Sequence, residues 1–119
     1  MHNKKFILIW LVLALLVAAA CNRIVVNGQR QPASAIVLDV RTAEEYAQGH
    51  LPKAINYNVL DTLAFQQHIQ QLDKRKHYVV YCRSGKRSKT AVAKMQAAGF
   101  QHITEIDGGI QAYKGKIVQ

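Results

Sequence analysis

The chain has 119 residues, with 16 Lys and Arg against seven Asp and Glu, a formal charge of +9. That length fits one small domain and excludes a multidomain enzyme, while a 50% hydrophobic content excludes a wholly disordered or low-complexity chain. Two cysteines and no zinc-type Cys/His cluster exclude a disulfide-stapled mini-protein and a Cys-rich metal domain.

The chain opens on an address. Lys4 and Lys5 precede fifteen residues, Phe6 to Ala20, without a charge or strongly polar group. A spanning helix needs about 20 apolar residues, so this run is short for one. Basic start, apolar run and small-residue end form the pattern of an export signal over residues 1–20. The run Leu16-Val17-Ala18-Ala19-Ala20-Cys21 resembles the lipobox of bacterial lipoproteins, although Leu is commoner at the place of Ala18. That resemblance implies lipidation of Cys21 and a membrane anchor. Plain signal-peptidase cleavage at the same bond and an uncleaved anchor are the alternatives. Asn22 is not the Asp that favours inner-membrane retention in Gram-negative bacteria, so the resemblance implies an exported, periplasm-facing protein of the cell envelope, at the outer membrane if Gram-negative.

Removal of residues 1–20 takes two Lys and no acid, leaving fourteen basic against seven acidic residues, or +7. A chain of this size buries about 60–65% of its unfolded surface, enough for one modest core. The basic balance suits an anionic lipid surface. Nucleic acid is not expected as a partner, because no aromatic-basic stacking pattern appears.

Residues 21–35 are mostly polar, with Gly28 and Pro32, and read as a tether with a short strand at 24–26. The domain then spans 36–119. Ile36-Val37-Leu38-Asp39-Val40 is a short apolar run of the kind buried in a sheet. Thr42-x-x-Glu45 is a capping box that opens a helix ending at Gly49. A second strand is predicted at 54–57. From Leu60 to Leu72, the residues Leu60, Leu63, Ala64, Ile69 and Leu72 recur at helical spacing and predict a helix with those residues inward. His77–Tyr81 is the third strand and the most buried. Ser88 to Ala98 predicts a helix with Ala91, Val92, Met95 and Ala98 inward and Gly99 as its stop. His102–Ile106 is the last strand, followed through Gly108-Gly109 by a short helix at 110–114. Strands alternating with helices predict an α/β domain, a mostly parallel sheet with helices on both faces. Sites in such sheets form at the carboxyl ends of strands.

Directly after the third strand stands Cys82-Arg83-Ser84-Gly85-Lys86-Arg87-Ser88. Arg83, Lys86 and Arg87 supply positive charge. Gly85 lets successive N–H groups converge, and a helix N-terminus near Ser88 points its free N–H groups at the same place. Each of these favours thiolate over thiol, so Cys82 is expected to be acidic and nucleophilic. The same groups suit an anionic substrate. A buried, inert thiol is the bland alternative, and a solvated basic turn is the bland reading of the cations; the basic loop counts against the first.

Three ordered segments resemble the rhodanese (thiosulfate sulfurtransferase) family over about residues 36–114. They are Asp39-Val40-Arg41-x-x-x-Glu45-Tyr46-x-x-Gly49-His50-Leu51-x-x-Ala54-Ile55-Asn56, Tyr81 to Ser88, and Ile106-Asp107-Gly108-Gly109-Ile110-x-x-Tyr113, where Tyr113 stands in place of the usual Trp. The resemblance implies a single rhodanese-like domain and a Cys82 persulfide. Sulfur would pass from thiosulfate or a similar donor to cyanide or a thiol. Arg83, Ser84, Gly85, Lys86, Arg87 and Ser88 would cradle the substrate. Asp39, Arg41 and His50 would support the loop, with Asp107, Gly108 and Gly109 behind it. Related phosphatases place five residues between Cys and Arg, whereas four lie between Cys82 and Arg87, which fits sulfur transfer. No cofactor or metal is expected, and the domain is expected to be a monomer. Two other readings use the same residues. One is a persulfide carrier or redox partner of another protein; the other is an anion-binding module that does not need the thiol.

Overall fold

The structure, a computed structural model, describes residues 34–119. The expected signal, Cys21, most of the tether and the strand at 24–26 lie outside the described residues.

Four strands form one sheet: β1 (Ile36–Asp39), β2 (Ile55–Asn56), β3 (Tyr78–Tyr81) and β4 (Ile103–Glu105). Their order across the sheet is β2-β1-β3-β4, and every pairing is parallel. Parallel neighbours need crossovers. Helices α1 (Ala43–Gln48), α2 (Thr62–Gln70) and α3 (Lys86–Ala97) supply them, and α4 (Gly109–Ala112) follows the last strand.

The alternation of strand side chains splits the core into two layers. Leu38, Val40, Tyr78, Val80 and Cys82 face one side, where Phe65, Ile69, Ala91 and Met95 from α2 and α3 cover them. Val37, Val79 and Tyr81 face the other, against Leu51, Ala54 and the half-buried Tyr46, Ile110 and Tyr113. The expected layout with helices on both faces is the observed one. All four residues of β3 are buried, as a central parallel strand requires.

Three helices differ from the sequence reading. Asp61 caps α2, accepting from the Ala64 N–H, so the helix starts at Thr62. Its buried residues are Phe65 and Ile69, while Leu60 and Leu63 are 63% and 71% exposed. The expected start at Leu60 is two residues early; Ile69 is inward as expected, but Phe65, and not Leu60 or Leu63, shares its stripe. Helix α3 begins at Lys86 rather than Ser88, because Gly85 takes the cap with φ +105, a left-handed conformation open to glycine. The last helix is also shorter than expected, ending at Ala112 with Tyr113 extended.

Candidate active site

Cys82 leaves β3 at its carboxyl end, beside the carboxyl end of β1, and is 1% exposed. The loop after it is held by its carbonyls. The N–H of Ile110 donates to the Cys82 carbonyl at 2.9 Å and that of Gln111 to the Arg83 carbonyl at 3.1 Å. With the carbonyls turned towards α4, the loop N–H groups turn the other way. Gly85 N–H donates to Cys82 Sγ at 3.1 Å, and Ser88 Oγ lies 3.7 Å from Sγ. Burial pushes the Cys82 thiol up, but the N–H groups of Ser88, Gly85 and Ser84, joined by the Ser88 hydroxyl when its proton turns to the sulfur, outweigh it, so its pKa is lowered.

The close approach behind the loop requires Gly109, whose φ is +65. A Cβ there would collide with the Arg83 carbonyl and stand 2.6 Å from the Cys82 carbonyl oxygen. This is what Gly109 does for the site.

The first loop is fixed by a buried network. Asp39 takes hydrogen bonds from the Arg41 N–H at 2.9 Å, from Arg41 Nη2 at 2.7 Å and from the Tyr81 hydroxyl at 2.6 Å. Arg41 Nη2 also donates to the Gly49 carbonyl at 2.6 Å, and Leu51 N–H donates to the Tyr81 oxygen at 3.1 Å. Burial works against the Arg41 charge, but the Asp39 carboxylate outweighs it and raises the Arg41 pKa. His50 stacks on Tyr46 with ring centroids 3.7 Å apart, and its Nδ1 meets the Tyr46 carbonyl at 2.9 Å. In that position His50 braces the loop.

The cations divide. Arg87 is bidentate to Glu45, at 2.6 and 2.8 Å. That pair raises the Arg87 pKa, and a Cys82 thiolate adds to the shift. Arg83 and Lys86 are exposed and, among the described residues, have no carboxylate partner. Arg83 stands on a cleft of about 560 Å³ shared with Arg41, Glu45, Gly49, Gln111 and Ile117. An anion entering the cleft meets Arg83, while the charges of Arg41 and Arg87 are already matched. Among the described residues, no three His, Cys, Asp or Glu side chains gather as a metal site would need.

Two acidic residues belong to this site although sequence reasoning gave them no part in it. Glu45 was legible as a capping-box residue. Its N–H takes the Thr42 hydroxyl oxygen as acceptor at 3.3 Å, but its carboxylate reaches across to Arg87. Glu105, at the end of β4, accepts from the Ser88 hydroxyl at 2.7 Å, and no local pattern announces it.

Residues 24–116 match the family model of the rhodanese-like domain. The chain is 35% identical over 80 residues to the candidate sulfurtransferase YtwF of Bacillus subtilis, covering 67% of this chain and 74% of that one. It is 30% identical over 80 residues to the thiosulfate sulfurtransferase GlpE of Pseudomonas savastanoi, covering 67% and 73%. It also shares 31% identity over 94 residues with the tRNA uridine(34) hydroxylase of Buchnera aphidicola, but spans only 28% of that protein's length. Among solved structures, a rhodanese with anions from E. coli is similar, with a TM-score of 0.62 and 28% identity over 72% of this chain and 99% of that one.

Proposed function

The chain belongs to the rhodanese-like domain family, and from that premise we propose that it is a sulfurtransferase working through a persulfide on Cys82. The observation that carries the reading is the Cys82 sulfur held at the end of β3 with the Gly85 N–H aimed at it from 3.1 Å.

The Cys82 thiolate attacks the outer sulfur of thiosulfate or a similar donor. A Cys82 S–S bond forms, the donor S–S bond breaks, and its electron pair leaves with sulfite. The persulfide keeps one negative charge, which the loop N–H groups receive. Cyanide or a thiolate then attacks the terminal sulfur, and Cys82 departs as thiolate. No external oxidant or reductant enters. Arg83 and Lys86 draw in the anionic donor, and Arg87, matched by Glu45, adds field without offering a free fork of donors. For location we propose the envelope, with residues 1–20 as export signal and Cys21 as the lipid anchor; the basis is the run that ends at Cys21.

The test is intact mass. The full chain in mild detergent, carrying Cys21→Ser so that Cys82 is its one thiol, is treated with thiosulfate and freed of excess. A gain of one sulfur atom, removed by cyanide and absent after Cys82→Ser, is the expected result. No gain from thiosulfate or from a protein persulfide donor, with anion binding that survives Cys82→Ser, would overturn the reading in favour of an anion-binding module.

A further inference from the structure

Ser88 is fully buried, and its hydroxyl has one proton to give. Three acceptors compete for it. Glu105 Oε1 is 2.7 Å away, the Gly85 carbonyl 3.0 Å, and Cys82 Sγ 3.7 Å. A carboxylate at the shortest distance is the strongest acceptor of the three. While the proton points to Glu105, Ser88 presents lone pairs to Sγ, and a Cys82 thiol donates to them. When Cys82 ionises, that S–H donor is gone, and the Ser88 proton must turn from Glu105 to the sulfur to help it.

We infer that Glu105 is a positioning residue that acts through Ser88, holding the hydroxyl proton away from Sγ and so favouring the Cys82 thiol over the thiolate. The inference rests on the reading of Cys82 as the nucleophile. It gives this cradle two opposed settings. The backbone N–H groups favour thiolate at all times, and the Ser88 hydroxyl joins them only when Glu105 releases it.

The other charges around the pair are accounted for. Lys89 of α3 stands 3.6 Å from Glu105 Oε1 with its side chain 72% exposed, so solvent mutes its pull. Arg87 of α3 is occupied by Glu45 of α1, and Asp39 of β1 by Arg41. Arg83 lies exposed on the loop, and Lys86 exposed at the first position of α3. The Glu105 side chain is 24% exposed, in partial shelter from water.

The experiment is the pH dependence of Cys82 alkylation by iodoacetamide, in the full chain carrying Cys21→Ser. Glu105→Ala is expected to lower the midpoint by about one pH unit, the size of an ordinary neighbour effect on a thiol. Glu105→Gln, whose amide oxygen still accepts from Ser88 without the charge, is expected between the two. In a Ser88→Ala background, Glu105→Ala is expected to lose most of its effect. An unchanged or raised midpoint in Glu105→Ala overturns the inference. So does a shift of equal size with and without Ser88, which would make Glu105 a plain charge. Should Glu105→Ala fail to fold, Glu105→Gln decides: its midpoint must fall. Alkylation reads the thiol whether or not sulfur is transferred, so a failed sulfur-transfer assay leaves this result intact.

Discussion

Gly109→Ala is the sharpest perturbation that the structure offers short of removing Cys82. Alanine at φ +65 costs about 1–2 kcal/mol in backbone strain. Its Cβ would also collide with the Arg83 carbonyl and lie 2.6 Å from the Cys82 carbonyl oxygen. Both obstacles are backbone, and a Cβ has no rotamer with which to avoid them. The loop must therefore move away from α4. That movement puts at risk the bonds from Ile110 N–H to the Cys82 carbonyl and from Gln111 N–H to the Arg83 carbonyl. Each is worth about 1 kcal/mol net. The sum is roughly 3–4 kcal/mol, a large part of the ~5–15 kcal/mol available to a domain. Gly108→Ala is the control. It has a similar φ, +74, but its Cβ would meet Ala112, at 2.7 Å, and not the cysteine loop. Urea unfolding and the pH midpoint of Cys82 alkylation are measured on both variants. Gly109→Ala is expected to lose the larger stability and to raise the midpoint towards the value of about 8.5 for a free thiol, as the N–H groups lose aim. Gly108→Ala is expected to leave the midpoint where it is. Gly109→Ala within 0.5 kcal/mol of the parent, or Gly108→Ala disturbing Cys82 as strongly, would refute the claim that contact with the loop carbonyls aims the cradle.

Two further outcomes are expected. Tyr81→Phe strips Asp39 of its 2.6 Å hydroxyl donor and Leu51 N–H of its acceptor, and should lower the thermal midpoint, with a stability loss of about 1–3 kcal/mol; an unchanged melting curve would show that the buried network does not need the hydroxyl. Arg87 beside Glu45 is the main reason that its carboxyl is held at about 2, below its ordinary 4.5. A carboxyl depressed on folding adds stability that is present above pH 4.5 and lost as pH falls towards 2. The pair is partly exposed, so the loss is about 1 kcal/mol, and urea unfolding at pH 6 and pH 2.5 should show Glu45→Gln without that component.

How far the residues announced the molecule depends on the range of the interaction. His77–Tyr81 reads as a buried strand because its neighbours in the chain are also apolar, and β3 is buried throughout. Thr42 reads as a cap because its acceptor role needs only Glu45 three residues on. Cys82 reads as a site residue because strand, basic loop and helix follow one another within a dozen positions. Gly85 was legible as a turn residue, yet its place as the cap of α3 was not, since the first helical residue depends on where the loop is tied down. The α2 stripe was legible only in part, for a similar reason: Ile69 is buried as expected, and Leu60 and Leu63 are not. Leu60, Leu63, Phe65 and Ile69 offer more than one apolar face, and the sheet selects the one that carries Phe65.

The alternation of strands and helices, the sheet's parallel character and the cysteine loop are legible in the residues, since each rests on period, capping and spacing within short stretches, and the family is legible as the resemblance of three ordered motifs. Which charges are spent is settled by contacts between distant parts of the chain. Glu45 meets Arg87 across 42 positions, Asp39 meets Tyr81 across another 42, and Ser88 meets Glu105 across 17. Separation along the chain carries no information about such pairs. They exist because parallel crossovers bring the carboxyl ends of β1, β3 and β4 side by side, and there a hydroxyl, a guanidinium or a thiol takes the partner that the neighbouring strand or helix presents.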